Sequence, residues 1–181
     1  MQPAPAIALR DAVEADFDAI VALNAADVAH TSAMDITRLH ALEALSVYHR
    51  VATVDGAVAA FLLAMADDSA YVNDNFGWFA ARGPGFVYGD RIVVGAEHRG
   101  LGLASRLYVD LFAFARERGA AQIACEYNVI PPNEPSRRFH DRFGFHEVGR
   151  QWLDGGAKQV SMQVAELASL PAPDAAARPT P

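Results

Sequence analysis

Residues 90–107 read Asp90-Arg-Ile-Val-Val-Gly-Ala-Glu-His-Arg-Gly-Leu-Gly-Leu-Ala-Ser-Arg-Leu107 and predict a strand, a glycine-bearing turn and the start of a helix. Within them, Arg99-Gly100-Leu101-Gly102-Leu103-Ala104 fits the pattern Arg/Gln-x-x-Gly-x-Gly/Ala. The first N–H groups of a helix lack intrahelical partners, and the helix dipole adds about half a positive charge there. Because Gly100 and Gly102 carry no Cβ, a phosphate can approach such N–H groups closely. The stretch therefore predicts an anion site at a helix N-terminus.

Size and composition narrow the class of protein. The chain has 181 residues, which is enough for one domain with a sizeable core. It is 52% hydrophobic and 20% charged, a composition typical of globular proteins and not of disordered ones. The formal net charge is −7, and no basic cluster offsets it, so nucleic acid is not expected as a partner.

The cysteine and histidine content excludes several kinds of site. Cys125 is the only cysteine, which rules out an intrachain disulfide and zinc sites built on cysteine pairs. The six histidines show no HExxH spacing, so no metal site is predicted. Residues 1–9 lack the basic start of a signal peptide, and no apolar run approaches the ~20 residues of a membrane helix. We expect a cytoplasmic protein without a membrane segment.

Hydrophobic periodicity predicts an alternating order of elements, β-α-α-β-β-β-α-β-α-β-β. This order indicates one mixed α/β domain over residues 1–168, followed by a Pro/Ala-rich disordered tail over 169–181. Asp35 is expected to cap the second helix, and Asp55-Gly56 is a strong hairpin signal between two apolar runs. The predicted elements are strand 7–10, helix 12–28, a helix after Asp35, strands 47–54, 57–65 and 86–94, a helix ended by Gly119, strand 122–127, helix 133–143, and strands 145–153 and 158–166.

Residues 67–85 carry no clear periodicity. Nineteen such residues inside a compact domain are either functional or a misassigned element, and a short helix over 75–82 is one possibility. Aromatic and amide side chains occur together here, which suits a binding lid. A hydrophobic cluster packed on the sheet is the alternative.

A second motif lies downstream, Asn133-Glu-Pro-Ser-Arg-Arg-Phe-His140-Asp-Arg-Phe-Gly144-Phe145. It keeps the spacing of Asn-x-x-Ala-x-x-x-Tyr-x-x-x-Gly-Phe, with Ser136 in place of Ala and His140 in place of Tyr. Together with the glycine turn, this motif resembles the GNAT superfamily of acetyl-CoA-dependent N-acetyltransferases. The resemblance covers about residues 5–166, and its specific motifs lie within 86–148.

The resemblance implies a fold and a cofactor. The fold would be an α/β (α+β) single domain with a central, mostly antiparallel mixed sheet, whose fourth and fifth strands splay apart around the thioester, flanked by helices. The cofactor would be acetyl-CoA, with Asn133 on its pantetheine arm and Phe139 and His140 near its adenylyl or thiol end. Its pantetheine arm would pair with the strand Ile92, Val93 and Val94. Its pyrophosphate would be held by Arg99, Gly100, Leu101, Gly102, Leu103 and Ala104.

Three residues are candidates for catalysis. His140 replaces the tyrosine that usually serves as the general acid in this family, and an imidazolium could protonate the leaving thiolate. The alternative is that His140 only packs within its helix face. Glu126 and Asp90, on the splayed strands, are candidates for the base or for binding the amine. A solvated strand end is the alternative for Glu126, and a salt bridge with Arg91 or a turn cap is the alternative for Asp90.

The expected function follows from these assignments. It is an N-acetyltransferase that acts on a primary amine of a small molecule or peptide by direct attack in a ternary complex. The alternative is a non-catalytic acyl-CoA-binding module, and a homodimer is possible. A protein that binds nucleotide phosphates and is unrelated to CoA is disfavoured, since no Walker lysine follows the glycines. The candidate acceptor contacts are Asn73, Asn75, Phe76, Trp78, Glu126 and Asn128.

Overall fold

The computed structural model describes residues 4–29 and 31–168 and shows one mixed seven-stranded sheet with helices on both faces. The strand order is β1-β2-β3-β4-β5-β7-β6. The strands are β1 (Ile7–Asp11), β2 (Ser46–Val54), β3 (Ala57–Ala66), β4 (Phe86–Val94), β5 (Gln122–Ile130), β6 (His146–Leu153) and β7 (Lys158–Glu166). The helices are α1 (Phe17–Ala26), α2 (Ile36–Leu45), α3 (Asp74–Ala80), α4 (Leu103–Glu117) and α5 (Glu134–Arg142). The fold predicted from the sequence is confirmed.

The sheet divides into two parts between β4 and β5. All other neighbouring strands are antiparallel, whereas β4 and β5 run parallel and pair over three positions only, from Phe86 with Gln122 to Tyr88 with Ala124. Beyond Tyr88, β4 contains a bulge, because Gly89 and Arg91 face consecutive residues of β3 and leave Asp90 without a partner position. A bulge bends its strand and increases the local twist. The two strands therefore diverge and open a gap.

The core consists of two layers, one on each face of β3. Phe61, Leu63 and Met65 point toward α1, α2 and α3, whereas the alternating Ala60 and Leu62 point toward α4. β3 is covered on both faces, as its continuous apolar sequence predicts. The apolar stripe of α4 supplies the second layer with Leu103, Leu107, Tyr108, Leu111, Phe112 and Ala115.

Several local predictions are confirmed. Asp35 caps α2 by accepting a hydrogen bond from the Arg38 N–H at 2.7 Å. Asp55 and Gly56 form the tight turn between β2 and β3, both with positive φ, at 51° and 87°. The periodicity-poor stretch contains a seven-residue helix, α3, which begins one residue before and ends two residues before the short helix named as a possibility over 75–82; the predicted order of elements did not include it.

The first predicted helix is wrong in its extent. Residues 12–28 give a single turn of 3-10 helix at Glu14–Asp16 followed by α1, because Asp16 closes the turn. Its carboxylate accepts from the Val13 N–H at 2.9 Å and forms a salt bridge with Arg10. The predicted tail, 169–181, lies outside the described residues. Within the described residues, no helix is long and apolar enough to cross a bilayer.

Candidate active site

A cavity of about 770 Å³ lies in the gap between the diverging strands. Its walls come from β4, β5, the start of α4, α5, the residues before and at the start of α3, the connection between α1 and α2, and the turn between β6 and β7. The gap exists because β4 and β5 stop pairing after Tyr88 and Ala124. The backbone of β4 from Gly89 onward consequently has no strand neighbour on the β5 side, and an extended ligand could add there.

The glycine turn has the backbone that an anion site requires. Gly100 and Gly102 have φ of 85° and 73°, in the left-handed region where a side chain costs about 1–2 kcal/mol. A Cβ placed on either residue would meet nothing within 4 Å, so the space above the turn is open. Gly102 stands directly before α4, whose first N–H groups have no intrahelical partner. These features fit a pyrophosphate held by backbone N–H groups.

Side chains around the turn divide between anchoring it and lining the cavity. Leu103 is buried in the α4 layer and Leu101 packs against that layer, so both hold the turn in place. Arg99 and Ala104 line the cavity. Six residues were predicted to hold the pyrophosphate. One of them, Arg99, already uses its backbone N–H, which donates to the Ala96 carbonyl at 3.4 Å.

The remaining predicted cofactor contacts lie on β4 and α5. Ile92 and Val94 line the cavity, whereas the Val93 side chain points into the opposite core layer. Asn133 lines the cavity as well, and its Oδ1 caps α5 by accepting from the Ser136 N–H at 3.2 Å. The Asn133 amide NH₂ is therefore the group that could donate to a ligand. Phe139 lines the cavity next to Tyr108, with ring centroids 5.0 Å apart.

His140 lines the cavity but is only 4% exposed. Its Nδ1 lies 2.8 Å from the Ser136 carbonyl oxygen, and its Nε2 lies 2.9 Å from the Tyr108 hydroxyl. A carbonyl accepts only, so Nδ1 carries the proton and Nε2 accepts from Tyr108 in the neutral ring. Burial lowers the His140 pKa. This geometry favours a neutral, hydrogen-bonded imidazole, and the general-acid role stays a prediction that it does not support.

Glu126 reaches the cavity from β5, at the point where β4 and β5 separate. The Tyr88 hydroxyl lies 2.9 and 3.1 Å from its two carboxylate oxygens, and the Asn75 Nδ2 donates to Oε1 at 2.8 Å. Burial raises the Glu126 pKa to about 7, and nearby Asp90 adds to the increase, while the hydrogen bonds from Tyr88 and Asn75 oppose it. A carboxylate with this pKa can exchange a proton at neutral pH.

Asp90 lines the cavity, and its carboxylate is 3% exposed. Its Oδ2 accepts from Arg91 Nε at 2.7 Å and its Oδ1 from the Tyr71 hydroxyl at 2.5 Å. Arg91 donates further to Asn24 of α1 and to Ser32 of the α1–α2 connection. The salt bridge weighed as the alternative for Asp90 is present, and a role for Asp90 as the base stays an untested prediction.

The predicted acceptor contacts have different positions. Asn73 lines the cavity and caps α3, accepting from the Asn75 and Phe76 N–H groups. Asn75 also lines the cavity, but both polar atoms of its side chain are engaged. Phe76 lies in the core against Tyr88, with centroids 5.6 Å apart, because the apolar face of this short helix points inward.

Two more acceptor contacts were predicted from the sequence. Trp78 is not among the cavity-lining residues and packs instead against Gly149, Phe79 and Arg82. Asn128 is buried and lines the cavity, and its carbonyl accepts from the Asn133 N–H at 3.0 Å.

Three side chains at this site were not assigned to it by the sequence. Tyr108 lies within the apolar stripe of α4 and Gln151 on an edge strand, so neither carried a distinguishing local signal. Lys158 begins β7 and lines the cavity, and its charge lowers the Glu126 pKa. Within the described residues, no group of three or more His, Cys, Asp or Glu side chains could hold a metal ion.

Comparisons with known proteins agree with this geometry. A sequence model described as the Acetyltransferase (GNAT) family matches residues 12–145. A search of curated proteins gives no match.

Solved structures match most of the chain. The ribosomal-protein-S18-alanine N-acetyltransferase from Escherichia coli is similar at 14% identity and a TM-score of 0.68, covering 90% of this chain and 94% of that one. Ard1 from Thermoplasma volcanium is similar at 15% identity and a TM-score of 0.72, covering 88% and 97%. The yncA protein from Salmonella typhimurium, solved with its cofactor acetyl-CoA, is similar at 22% identity and a TM-score of 0.67, covering 93% and 98%. At these identities the likeness establishes the fold.

The family model spans most of the described domain, including the glycine turn and the second motif up to Phe145. The open glycine turn, the unpaired edge of β4 and the capped start of α5 are the parts that a CoA-binding site needs. The chain belongs to the GNAT family of acetyltransferases, and its cofactor is acetyl-CoA.

Proposed function

We propose that this protein is an N-acetyltransferase that moves the acetyl group of acetyl-CoA to a primary amine of a small molecule or peptide by direct attack in a ternary complex. One observation carries the proposal. Glu126 faces the gap between β4 and β5 with two hydrogen-bond donors and a pKa of about 7. A carboxylate in that position can accept the proton of an ammonium ion as the amine becomes a nucleophile.

Acetyl-CoA supplies an activated acetyl group, whose bond to sulfur breaks as the bond to the amine nitrogen forms. The protein's own contribution begins with Glu126, which takes one proton from the incoming ammonium ion and becomes a neutral acid. The second proton, which the nitrogen loses as the amide forms, passes to the leaving thiolate. Tyr88 and Asn75 hold the carboxylate in one orientation throughout. A backbone N–H near Val94, at the end of β4, is the proposed donor to the acetyl oxygen.

Direct attack is also favoured by the state of Cys125, the one thiol in the chain. It is 3% exposed, and burial raises its pKa well above the usual value. A nucleophilic cysteine needs its thiolate form, so an acetyl-cysteine route is disfavoured.

The leaving thiolate does not depend on an imidazolium in this proposal. The His140 pKa is lowered by burial, and burial likewise raises the Tyr108 pKa well above its usual value. Neither group readily gives up a proton at neutral pH. We propose that His140 is structural, and that it keeps Tyr108 and Phe139 in place on the cavity wall. We attribute the rate acceleration to proton transfer by Glu126 and to positioning of the two substrates.

The acceptor itself is proposed only as a class. Asp74 and Asp154 line the cavity together with Glu126 and suit a cationic amine. The cytoplasmic location, the homodimer and the absence of nucleic-acid partners stay predictions.

The decisive experiment measures free thiol released from acetyl-CoA with a panel of amino acids, polyamines, aminoglycosides and peptides. Mass spectrometry of the product identifies the acetylated nitrogen. Turnover with at least one amine, lost in Glu126→Gln, supports the proposal. Tight acetyl-CoA binding without turnover across the panel would support a non-catalytic acyl-CoA-binding module instead.

A further inference from the structure

The short helix α3 contacts both parts of the divided sheet. It lies between β3 and β4 in the chain, and Phe76 and Phe79 pack against Phe86 and Tyr88 of β4. Its polar side reaches β6, which is the edge strand of the other part. α3 therefore joins β4 and β6, which have two other strands, β5 and β7, between them in the sheet.

The contact with β6 depends on a glycine. A Cβ on Gly149 would lie 2.5 Å from Cζ2 and 2.9 Å from Cη2 of Trp78, which is closer than real Cβ contacts come. The Trp78 indole thus rests directly on the backbone of β6. The Arg82 guanidinium lies 3.2 Å from the centroid of the same ring, so the indole contacts both Arg82 and Gly149.

A line of hydrogen bonds runs from the same strand to Glu126. The Gln151 Nε2 donates to Asn75 Oδ1 at 3.1 Å, and the Asn75 Nδ2 donates to Glu126 Oε1 at 2.8 Å. An ionised carboxylate only accepts, so Asn75 must present its NH₂ to Glu126 and its oxygen to Gln151. Each amide in the line has one orientation that satisfies its neighbours.

We propose that Gln151 and Asn75 are positioning residues for Glu126, and that the seat of Trp78 on Gly149 sets the distance between α3 and β6 at which they act. This inference rests on the proposed function, because it takes Glu126 to be the base. Asn75, predicted from its sequence position to touch the acceptor, acts here through the carboxylate. The edge strand β6, which holds no reacting group, thereby controls the protonation of the base.

Other groups also face Glu126 and set its resting proton affinity. Tyr88 donates from β4, and the Asp90 charge raises the Glu126 pKa, whereas the Lys158 charge on β7 lowers it. The remaining titratable neighbours are Cys125 on β5 and Tyr108 on α4. The Asn75 donor favours the ionised form, so its loss must move the Glu126 pKa upward.

The test uses apolar variants that keep the shape of the side chain and remove its hydrogen-bonding groups. Asn75→Leu removes the donor to Glu126, and Gln151→Met removes the donor to Asn75. Arg150→Met is the matched control, since Arg150 is the neighbour of Gln151 on the other face of β6 and pairs with Glu147. The midpoint of the pH profile of kcat/KM and the titration of ¹³C-labelled Glu126 by NMR are measured in each full-length variant.

We expect the midpoint and the NMR pKa to rise by about one pH unit in Asn75→Leu and by about half a unit in Gln151→Met. Arg150→Met should leave both unchanged. If Glu126→Gln abolishes the wild-type midpoint but the Asn75 and Gln151 variants do not move it, the positioning role is wrong and the proposed base stands. If Glu126→Gln leaves the wild-type profile intact, the proposed base itself is wrong. In that case the NMR titration still tests the positioning role of Asn75. A Glu126 pKa that does not move in Asn75→Leu would overturn that role.

Discussion

The cofactor side and the acceptor side of the cavity are built in different ways. On the cofactor side, the features that fit acetyl-CoA are mainly backbone groups of one continuous stretch from Ile92 to Ala104, with Asn133 and Phe139 added from the start and middle of α5. On the acceptor side, Glu126 is held by side chains from β4, α3 and, through Asn75, from β6. Backbone recognition needs glycines at fixed spacing, whereas the carboxylate needs donors that only the folded sheet brings together. The two sides should therefore respond to different substitutions.

The largest expected effect is a loss of activity on substitution of Glu126, without a loss of acetyl-CoA binding. Glu126→Gln keeps the size of the side chain but cannot take a proton, so kcat/KM should fall by about 10²–10³-fold. Acetyl-CoA affinity, measured by calorimetry, should stay within about twofold because the proposed cofactor contacts lie elsewhere, on the glycine turn, β4 and α5. Glu117→Gln, at the exposed end of α4, is the matched control and should retain full activity. Retention of activity in Glu126→Gln would show that the base is another group.

The complementary change is Gly102→Val, on the cofactor side. A β-branched residue is strained at a φ of 73° and crowds the first N–H groups of α4, so acetyl-CoA affinity should fall by more than tenfold. Gly119→Val is the control, because Gly119 has a similar φ of 79° and open space at the other end of the same helix. The control should lose stability by a comparable amount, measured by denaturant unfolding, and keep its affinity. Equal loss of affinity in both variants would contradict the anion site.

The pH dependence sharpens the acceptor side. Activity should rise with pH through about 7, as Glu126 ionises, and Glu126→Gln should remove this step. Stability should change in the opposite sense. The folded protein retains a proton on Glu126 between pH 4.5 and about 7 that the unfolded chain releases, so the free energy of unfolding falls as pH rises across this window. Urea unfolding at several pH values should show a shallower fall in Glu126→Gln, and identical slopes would argue against the raised pKa.

The smallest kinetic effect is expected at His140. His140→Phe keeps an aromatic ring next to Tyr127 but removes the acceptor for the Tyr108 hydroxyl. We expect kcat within about threefold of wild type and a loss of roughly 1–3 kcal/mol in stability from the buried unsatisfied hydroxyl. Adding Tyr108→Phe should recover part of that stability in thermal unfolding. A fall in kcat of a hundredfold or more would instead support His140 as the general acid.

Much of the fold was accessible from the sequence because its signals are local. Alternating apolar and polar residues and continuous apolar runs predicted the strands. Asp35 predicted a helix cap and Asp55-Gly56 a tight turn, and both are present in the structure. The extent of the first helix was wrong, since Asp16 binds Arg10 and Val13 and closes a separate turn. That choice depends on β1 lying beside the turn, which no local pattern records.

The site likewise contains residues with a local sequence signal and residues whose environment depends on tertiary contacts. Gly100 and Gly102 were predicted from their spacing to form an anion site, and the structure gives both residues the positive φ that such a turn requires, because this is a property of their own backbone. Glu126 was identified as one of two carboxylates on splayed strands, but nothing local separated it from Asp90. The structure separates them, because the Asp90 carboxylate is paired with Arg91, whereas Glu126 has neutral donors and a raised pKa.

The sequence by itself determined the family, the position of the glycine turn and the order of the elements apart from α3, all of which rest on residues close together in the chain. Only the tertiary structure decided the partners of the side chains at the cavity. Trp78 packs on Gly149, and Gln151 reaches Glu126 through Asn75, across 76 positions of sequence between Gln151 and Asn75. Such contacts arise when the two parts of the sheet diverge and α3 spans them, and hydrogen bonds between distant side chains leave no periodic trace in the sequence.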